Sequence, residues 1–404
     1  MSGRERVFTF RFALVVTSGL CYFMALGVLL PVVPVFVKHE LGGNDVAVGL
    51  VVGAFAVGAV LLRPLTGRFG DRFGRRVLII VGGAIVGTAG LLYLLASAIV
   101  PLFFVRVLGG VGEAAFFVGA ASMITDLAPE RRRGEAISYW SIAVYGGLAF
   151  GPLIGNLLLG DDHFDRVWLT SAGLAFAAAA IGAFTRDVVK FDAAARDAPR
   201  PPLISRAAIT PGTVLFLGGV GLAGFTEFVP LYVKEIGMGT SSGVFLLYGG
   251  LILAVRVLGA RVPDRIGPVK AGTIATATAA CGLLVMASIA EPAALYAGTV
   301  VFSIGMSFLY PAMLTLALSG LADNERGSAV GTVSSFFDMS QGLGALLLGI
   351  VAALSGYRGA FVGGAVLSLG AFVVLRTGAR ARAREPVDHA AAAYARTVVE
   401  PEVP

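Results

Sequence analysis

Long apolar runs separated by short polar segments dominate the pattern of this chain. A helix that crosses a bilayer needs about 20 mostly apolar residues, and the pattern predicts twelve such spans in an all-α membrane protein. The predicted spans are 12–37, 46–66, 77–97, 100–124, 136–159, 167–185, 211–235, 241–262, 270–290, 292–319, 327–354 and 357–376.

The polar segments divide the chain into two halves of six spans. Residues 186–210 carry five basic residues and several prolines, so we interpret them as a cytoplasmic linker. The predicted units are therefore an N-terminal six-helix bundle over 1–185 and a C-terminal six-helix bundle over 211–376. Residues 377–404, rich in Ala and Arg, are predicted to form a flexible cytoplasmic tail.

One polar motif occurs twice, after the second and after the eighth span. Five residues recur in order at a displacement of 193 residues. The first copy contains Arg63, Arg68, Asp71, Arg72 and Gly74, and the second contains Arg256, Arg261, Asp264, Arg265 and Gly267. An internal repeat of this length predicts two pseudo-symmetric bundles, and many secondary transporters are built from paired membrane halves.

Composition and charge support a membrane setting. Only 14% of the residues are charged and the mean hydropathy is +0.85, whereas soluble domains carry about 25% charged residues. If the N-terminus is inside, 26 of the 31 Lys and Arg residues lie on inner segments and four on outer loops. The positive-inside rule then predicts a multi-pass plasma-membrane protein with both termini in the cytoplasm. This basic excess reflects topology, so we expect no nucleic-acid partner.

The residues that would support an enzyme are missing from the sequence. Cys21 and Cys281 both fall in apolar runs, and the three histidines are far apart, so we expect neither a disulfide nor a metal site. No hydrolase or nucleotide-binding motif is found. We therefore predict a non-enzymatic protein without a cofactor.

Three motifs resemble those of the major facilitator superfamily. The segment from Gly67 to Arg76 is similar to the signature of that family between helices 2 and 3, with Phe69 at a usually aliphatic position. Arg106, followed by three glycines in helix 4, is similar to its second motif. A segment of helix 5 resembles the motif typical of proton-coupled exporters, with Asn156 in place of its last glycine. The resemblance implies the major facilitator fold with twelve helices.

The resemblance also implies a cytoplasmic latch that closes the inner side. In the family, the matching Asp faces the start of helix 11 and the matching Arg pairs with an acid at the inner end of helix 4. Here those residues would be Asp71, Arg72 and Asp126. The latch would comprise Gly67, Asp71, Arg72, Gly74, Arg75, Arg76 and Asp126, with a second copy in Asp264, Arg265 and Gly267. Alternatively, or in addition, Asp71 caps the start of helix 3.

The motif in helix 5 predicts a seal on the outer side. Gly147, Gly151 and Gly155 are spaced by four and form one smooth face for close helix packing. We expect this face, with Pro152, to seal against helix 8. The alternative is that Gly151-Pro152 only kinks the helix.

Four charged residues lie well inside predicted spans, away from their ends and from the repeated motif, namely Arg106, Glu113, Glu227 and Asp338. A charge at mid-span costs about 2.5–3.5 kcal/mol on insertion scales, so such residues usually face a cavity or a partner. In the family, helices 1, 4, 7 and 10 line the central cavity, which implies that Arg106, Glu113 and Glu227 face it. Asp338 lies on the more peripheral helix 11 and could instead brace helices.

These residues carry our functional hypothesis. Burial disfavours the ionised form of a carboxyl, so a proton and a cationic substrate can compete for one acid. The alternative is a structural ion pair of Arg106 with Glu113 or Glu227. We predict a monomeric secondary transporter that works by alternating access and exports hydrophobic or cationic small molecules in exchange for protons. Its partners would be that substrate, protons and the lipid bilayer.

Two other functions compete with this hypothesis. A sugar or organic-acid carrier, as exporter or importer, is the first, and an unpaired Arg106 in the cavity would favour its anionic substrate. A membrane sensor that has lost transport is the second. The latch motif and three mid-span acids argue against a sensor.

Overall fold

The computed structural model describes residues 9–129, 132–187, 204–259, 266–321 and 323–384. Regular structure within these ranges is helical. In the first half, α1 begins at Phe10, where the Thr9 hydroxyl accepts a hydrogen bond from the Phe12 amide. The helices of this half are α1 (Phe10–Leu29, continued by Val32–Val35 and Phe36–Glu40), α2 (Asp45–Phe73), α3 (Arg75–Leu92), α4 (Ile99–Leu127), α5 (Arg133–Leu159) and α6 (Phe164–Ala183).

The second half repeats this order. Its helices are α7 (Ile209–Glu235), α8 (Ser242–Gly259), α9 (Pro268–Ser288), α10 (Pro292–Leu318) and a last helix, Asp323–Arg384. That last helix is interrupted at Gly356, whose φ is +76°. We name the arm 323–355 α11 and the arm 357–384 α12.

Ten of the described helical segments are long and apolar enough to cross a membrane. This number is lower than the twelve predicted spans for two reasons. The apolar part of α8, Ser242–Arg256, is shorter than a full span, and the stretch Ser328–Gly378 contains both α11 and α12. Many large apolar side chains point outward, as expected for contact with lipid, including Leu61, Phe104, Leu157 and Leu354.

Most of the predicted linker and tail lies outside the described residues. Residues 188–203 and 385–404 are among the segments not described. The predicted tail nevertheless begins too early, because α12 continues as a helix to Arg384. Alanine and arginine are good helix formers, which explains why residues 377–384 extend the last span.

Helix packing repeats with the same displacement as the sequence. A Cβ placed on Gly112 of α4 would lie 2.8 Å from the carbonyl oxygen of Gly82 on α3. Exactly 193 residues further on, a Cβ on Gly305 of α10 would lie 2.7 Å from the carbonyl oxygen of Ala275 on α9. The sequence repeat is therefore a repeat of helix contacts, with small residues allowing backbones to approach.

The two halves contact each other along two interfaces. The α2–α11 interface contains the contacts Asp45–Gly349, Gly49–Ala345, Gly53–Gly342 and Arg63–Asp338. The α5–α8 interface contains the contacts Asn156–Ser241, Ala149–Gly249 and Tyr145–Arg256. Both interfaces include contacts near the ends predicted to face outward.

Candidate functional site: a buried charge cluster between the halves

Arg63 of α2 is the centre of a buried group of charges. Its side chain lies at the α2–α11 interface and is 9% exposed. One terminal nitrogen donates to both carboxylate oxygens of Glu113 on α4, at 3.2 and 3.0 Å. Its Nε lies 2.9 Å from Oδ2 of Asp338 on α11. This second contact is a close approach of opposite charges without the alignment of a hydrogen bond, because both atoms are without a hydrogen-bond partner among the described residues.

Aromatic side chains surround this group. The Arg63 guanidinium lies 5.2 Å from the centre of the Phe117 ring, a distance at which a cation is attracted to an aromatic face. Tyr22 stacks on Phe116 with ring centres 3.7 Å apart. The Tyr310 hydroxyl lies 3.0 Å from the Ser334 hydroxyl. Helices α2 and α4 of the first half and α11 of the second thus meet at one polar position.

Arg256 occupies the corresponding place in the second half. It donates to the Tyr145 hydroxyl of α5 at 2.7 Å, and its guanidinium lies 4.1 Å from the centre of the Tyr145 ring. Arg256 is 193 residues after Arg63, and Asp338 is 193 residues after Tyr145. The two contacts between the halves are therefore counterparts, with a carboxylate in one and a phenol in the other.

Glu227 is the most deeply buried of the charged residues singled out in the sequence. It is 1% exposed, and its Oε2 has no hydrogen-bond partner among the described residues. Phe228, beside it on α7, stacks on Tyr357 with ring centres 5.7 Å apart. A buried carboxylate with an oxygen that lacks a hydrogen-bond donor can take up a proton or a cation.

Arg106 does not form the ion pair considered in the sequence analysis. Its guanidinium donates to the carbonyl oxygens of Val51 and Val52 on α2, at 3.3 and 3.1 Å. It also lies 4.8 Å from the centre of the Phe55 ring. Glu113 pairs with Arg63 instead. The reason is that α2 packs against α4, which offers Glu113 a closer arginine than the one seven residues away on its own helix.

The predicted latch differs from the structure in its ion pair. Asp126 pairs with Arg75, with Nε and Oδ2 3.4 Å apart, and not with Arg72. Arg72 lies over the neighbouring Phe73 ring, and the Arg76 side chain donates to the Ala183 carbonyl oxygen. Arg75 is the first residue of α3, which packs against α4, so its side chain reaches the end of α4 where Asp126 lies.

Asp71 lies within α2, which extends through the motif to Phe73, and the N-cap position of α3 is Gly74; whether the Asp71 carboxylate reaches the start of α3 stays a prediction. Gly74 makes the turn alone with a φ of 98°, a conformation that suits glycine. Asp187 accepts a hydrogen bond from the Arg76 amide near the start of α3, at 3.0 Å. In the second copy, Gly267 has a similar φ of 83°.

Other parts of the predicted latch cannot be placed. The surroundings of Gly67 and the side chains of Arg68 and Asp71 are not among the described features. Asp264 and Arg265 lie outside the described residues. The predicted contact of Asp71 with the start of helix 11 therefore stays a prediction.

The predicted outer seal packs against a different helix. The three glycines of this face lie against α1. Gly147 is closest to Met24 and Phe23, Gly151 to Gly27, and Gly155 to Val28. A Cβ on Gly151 would lie 2.6 Å from the Cα of Gly27. The glycine face thus closes the N-terminal bundle and does not seal against α8. The Pro152 carbonyl accepts a hydrogen bond from the Asn156 side chain at 3.0 Å.

The contact of α5 with α8 uses other residues of the same helix. The Asn156 side chain donates to the Ser241 hydroxyl at 3.3 Å, and Ala149 lies against Gly249. Asn156, the departure from the exporter motif, is thus one of the residues that join the halves.

Sequence reasoning missed Arg63 and Tyr145 as site residues. Arg63 was visible as a member of the repeated motif, and it lies within a long apolar helix. Its counterpart Arg256 shares both properties. Tyr145 carried no signal of its own, because only the contact between the halves relates it to Asp338.

Two helical halves with repeated packing, joined around buried charges, are the architecture of many membrane transporters. The pattern of the Major Facilitator Superfamily matches residues 15–331 and 271–400. The chain therefore belongs to the Major Facilitator Superfamily.

Similar proteins agree with this assignment. An uncharacterized MFS-type transporter of Salmonella typhimurium is 28% identical over 363 residues, covering 87% of this chain and 92% of that protein. Multidrug resistance protein 1 of Bacillus subtilis is 25% identical over 347 residues, covering 84% and 88%.

Solved structures share the fold. A bacterial homologue of the human lysosomal transporter Spinster, in an inward-facing and unoccupied conformation, has a TM-score of 0.74 at 17% identity and covers 93% of this chain and 98% of its own. The human organic anion transporter MFSD10 has a TM-score of 0.72 at 18% identity, covering 93% and 100%.

Proposed function

We propose that this transporter exports hydrophobic or cationic small molecules in exchange for protons, and that Glu227 is the acid where the two compete. The observation that carries the proposal is the Glu227 carboxylate, 1% exposed and with one oxygen lacking any hydrogen-bond partner among the described residues. A proton neutralises this group, and a cationic substrate would neutralise it equally well. Binding of one therefore excludes the other.

The surroundings of Glu227 favour an apolar cation. Phe225 and Phe228 lie on either side of it along α7, and Phe225 approaches Tyr248 with ring centres 4.9 Å apart. Aromatic faces attract cations and apolar groups alike. The 25% identical multidrug resistance protein of Bacillus subtilis supports the same direction of transport and substrate class.

The competing carrier of organic acids depended on an unpaired Arg106. Arg106 has two carbonyl acceptors and an aromatic ring as neighbours. With these interactions formed, Arg106 gives little reason to prefer an anionic substrate, and the exporter remains the better hypothesis.

The first prediction concerns Glu227→Gln. Because the amide keeps the shape but cannot titrate, we expect loss of at least about nine-tenths of gradient-driven ethidium uptake into everted vesicles, with normal protein levels. Glu235→Gln is the matched control, since Glu235 ends the same helix and is exposed; its uptake should equal that of the wild type. Uptake by Glu227→Gln at the wild-type rate would remove Glu227 from the mechanism.

A further inference from the structure

The two interfaces between the halves are counterparts that differ in charge. Arg63 meets Asp338 in the α2–α11 interface, and Arg256 meets Tyr145 in the α5–α8 interface. The residue corresponding to Glu113, 193 positions further on, is the apolar Met306. One interface therefore brings a carboxyl of the other half to its arginine, whereas the other interface brings a phenol.

The charges around Arg63 do not balance when both acids are ionised. Two carboxylates and one guanidinium leave one net negative charge, which is costly in a membrane interior. Uptake of one proton leaves a neutral pair. Glu113 accepts two hydrogen bonds from Arg63, whereas the contact of Asp338 is not aligned as a hydrogen bond. Asp338 is held less firmly, so it is the acid that takes up the proton.

A movement between the halves affects the ion pairs of Glu113 and Asp338 differently, because the two acids lie in different halves. Glu113 belongs to the same bundle as Arg63, so their pair survives any movement between the halves. Asp338 belongs to the other bundle. Of the contacts named for the α2–α11 interface, Arg63–Asp338 lies closest to the predicted cytoplasmic end, 18 residues or about 27 Å along α2 from Asp45. The more outward contacts are those of Gly49 and Gly53 with apolar neighbours, and that of Asp45, whose backbone oxygen meets Gly349 and whose carboxylate accepts a hydrogen bond from Tyr357 of α12.

We propose that Arg63 is a positioning residue for transport. While Asp338 is ionised, Arg63 holds α11 through its ion pair with Asp338. After Asp338 takes up a proton, Arg63 retains only its ion pair with Glu113. Protonation of Asp338 then releases the cytoplasmic part of the α2–α11 interface. Among the described residues, the other titratable side chains near this group are Tyr310 of α10, near Arg63 and Asp338, and Tyr22 of α1, near Glu113 and Arg63. Phenols keep their protons between pH 5 and 8, so the response belongs to the carboxyls.

The α5–α8 interface supplies the internal comparison. Its Arg256–Tyr145 hydrogen bond joins the same two halves at the corresponding depth. A phenol donates and accepts hydrogen bonds in one charge state over this pH range. Of these two corresponding contacts, we expect Arg63–Asp338 to depend on pH and Arg256–Tyr145 to be independent of it.

The test follows the separation of α2 and α11 without substrate. Spin labels replace the exposed Phe73 of α2 and Val330 of α11, after Cys21 and Cys281 are changed to Ser. Label distances are measured by pulsed electron spin resonance in nanodiscs from pH 5 to 8. In the wild type, we expect the population with the longer distance to grow as the pH falls. Asp338→Asn should show the low-pH distribution at every pH, and Tyr145→Phe should keep the wild-type midpoint.

Two results would overturn the proposal: a wild-type pH response in Asp338→Asn, or its loss in Tyr145→Phe. If Asp338→Asn does not fold, Asp338→Glu keeps a titratable group, and its midpoint should rise by about the 0.4 pH units that separate the two carboxyls in water; an unchanged midpoint also rejects the proposal. The inference builds on the proposed exchange of protons, but its readout requires neither substrate nor Glu227. Failure of either proposal can therefore be recognised separately.

Discussion

At the scale of single residues, two arginines make the same contact in different surroundings. Arg106 donates to the carbonyl oxygens of Val51 and Val52 inside the predicted membrane region. Arg358 donates to those of Ala287 and Ser288 at the surface. Carbonyls at the surface can turn to water, whereas those in the membrane interior have no such replacement.

This comparison predicts different costs for Arg→Lys. A lysine cannot donate to two carbonyls in the fixed geometry of a guanidinium. We expect Arg106→Lys to lower stability by about 1.5–3 kcal/mol, the range for one hydrogen bond to a charged group, and Arg358→Lys to change it by less than about 0.5 kcal/mol. Thermal unfolding of the purified variants in detergent measures both. Equal midpoints for the two variants would contradict the structural role of Arg106.

The positions of these charges could be predicted from the sequence, but their partners could not. Arg106, Glu113, Glu227 and Asp338 are conspicuous because they interrupt apolar runs. Glu113 was compared with an arginine on its own helix, since spacing along one helix is the only distance that a sequence gives. The partner, Arg63, comes from a neighbouring helix.

At the scale of helices, the packing of α1 against α5 depends on glycine. A Cβ on Gly151 would lie 2.6 Å from backbone atoms of Gly27, and backbone cannot move aside as a flexible side chain can. On the same helix, a Cβ on the buried Gly146 would lie 3.6 Å from the end of the Leu20 side chain, an ordinary contact. The two glycines therefore differ in the space around them.

This difference predicts the outcome of Gly→Ala. We expect Gly151→Ala to destabilise the protein by about 1–3 kcal/mol through overpacking, whereas Gly146→Ala should be neutral or slightly stabilising because alanine favours the helix. Thermal unfolding and the yield of monodisperse protein provide the readouts. Gly151→Ala with the stability of Gly146→Ala would mean that α1 can move without cost.

The glycine spacing also marks the limit of prediction at this scale. The interval of four residues correctly indicates a smooth face on α5, but it does not identify the helix that covers the face. Likewise, the motif residues 67–73 were assigned to a loop because they are polar. They continue α2 because Gly74 alone can make the turn.

At the scale of the whole molecule, the repeat predicts the architecture but does not indicate which corresponding positions differ in function. The displacement of 193 residues predicts that α3–α4 and α9–α10 pack alike, and Gly112 and Gly305 confirm it. The proposed response of the α2–α11 interface to pH depends on positions where the copies differ, Asp338 against Tyr145 and Glu113 against Met306. Such differences gain meaning only when contacts between the halves are known.

The central claim is that substrate and protons move in opposite directions through one protein. Purified protein in liposomes that enclose a pH-sensitive dye allows both fluxes to be followed together. When ethidium flows down its gradient, we predict a proton flux in the opposite direction, in a fixed ratio to ethidium, that disappears in Glu227→Gln. Ethidium movement at the same rate with and without a pH gradient, and with no accompanying proton flux, would contradict the account and indicate an uncoupled facilitator.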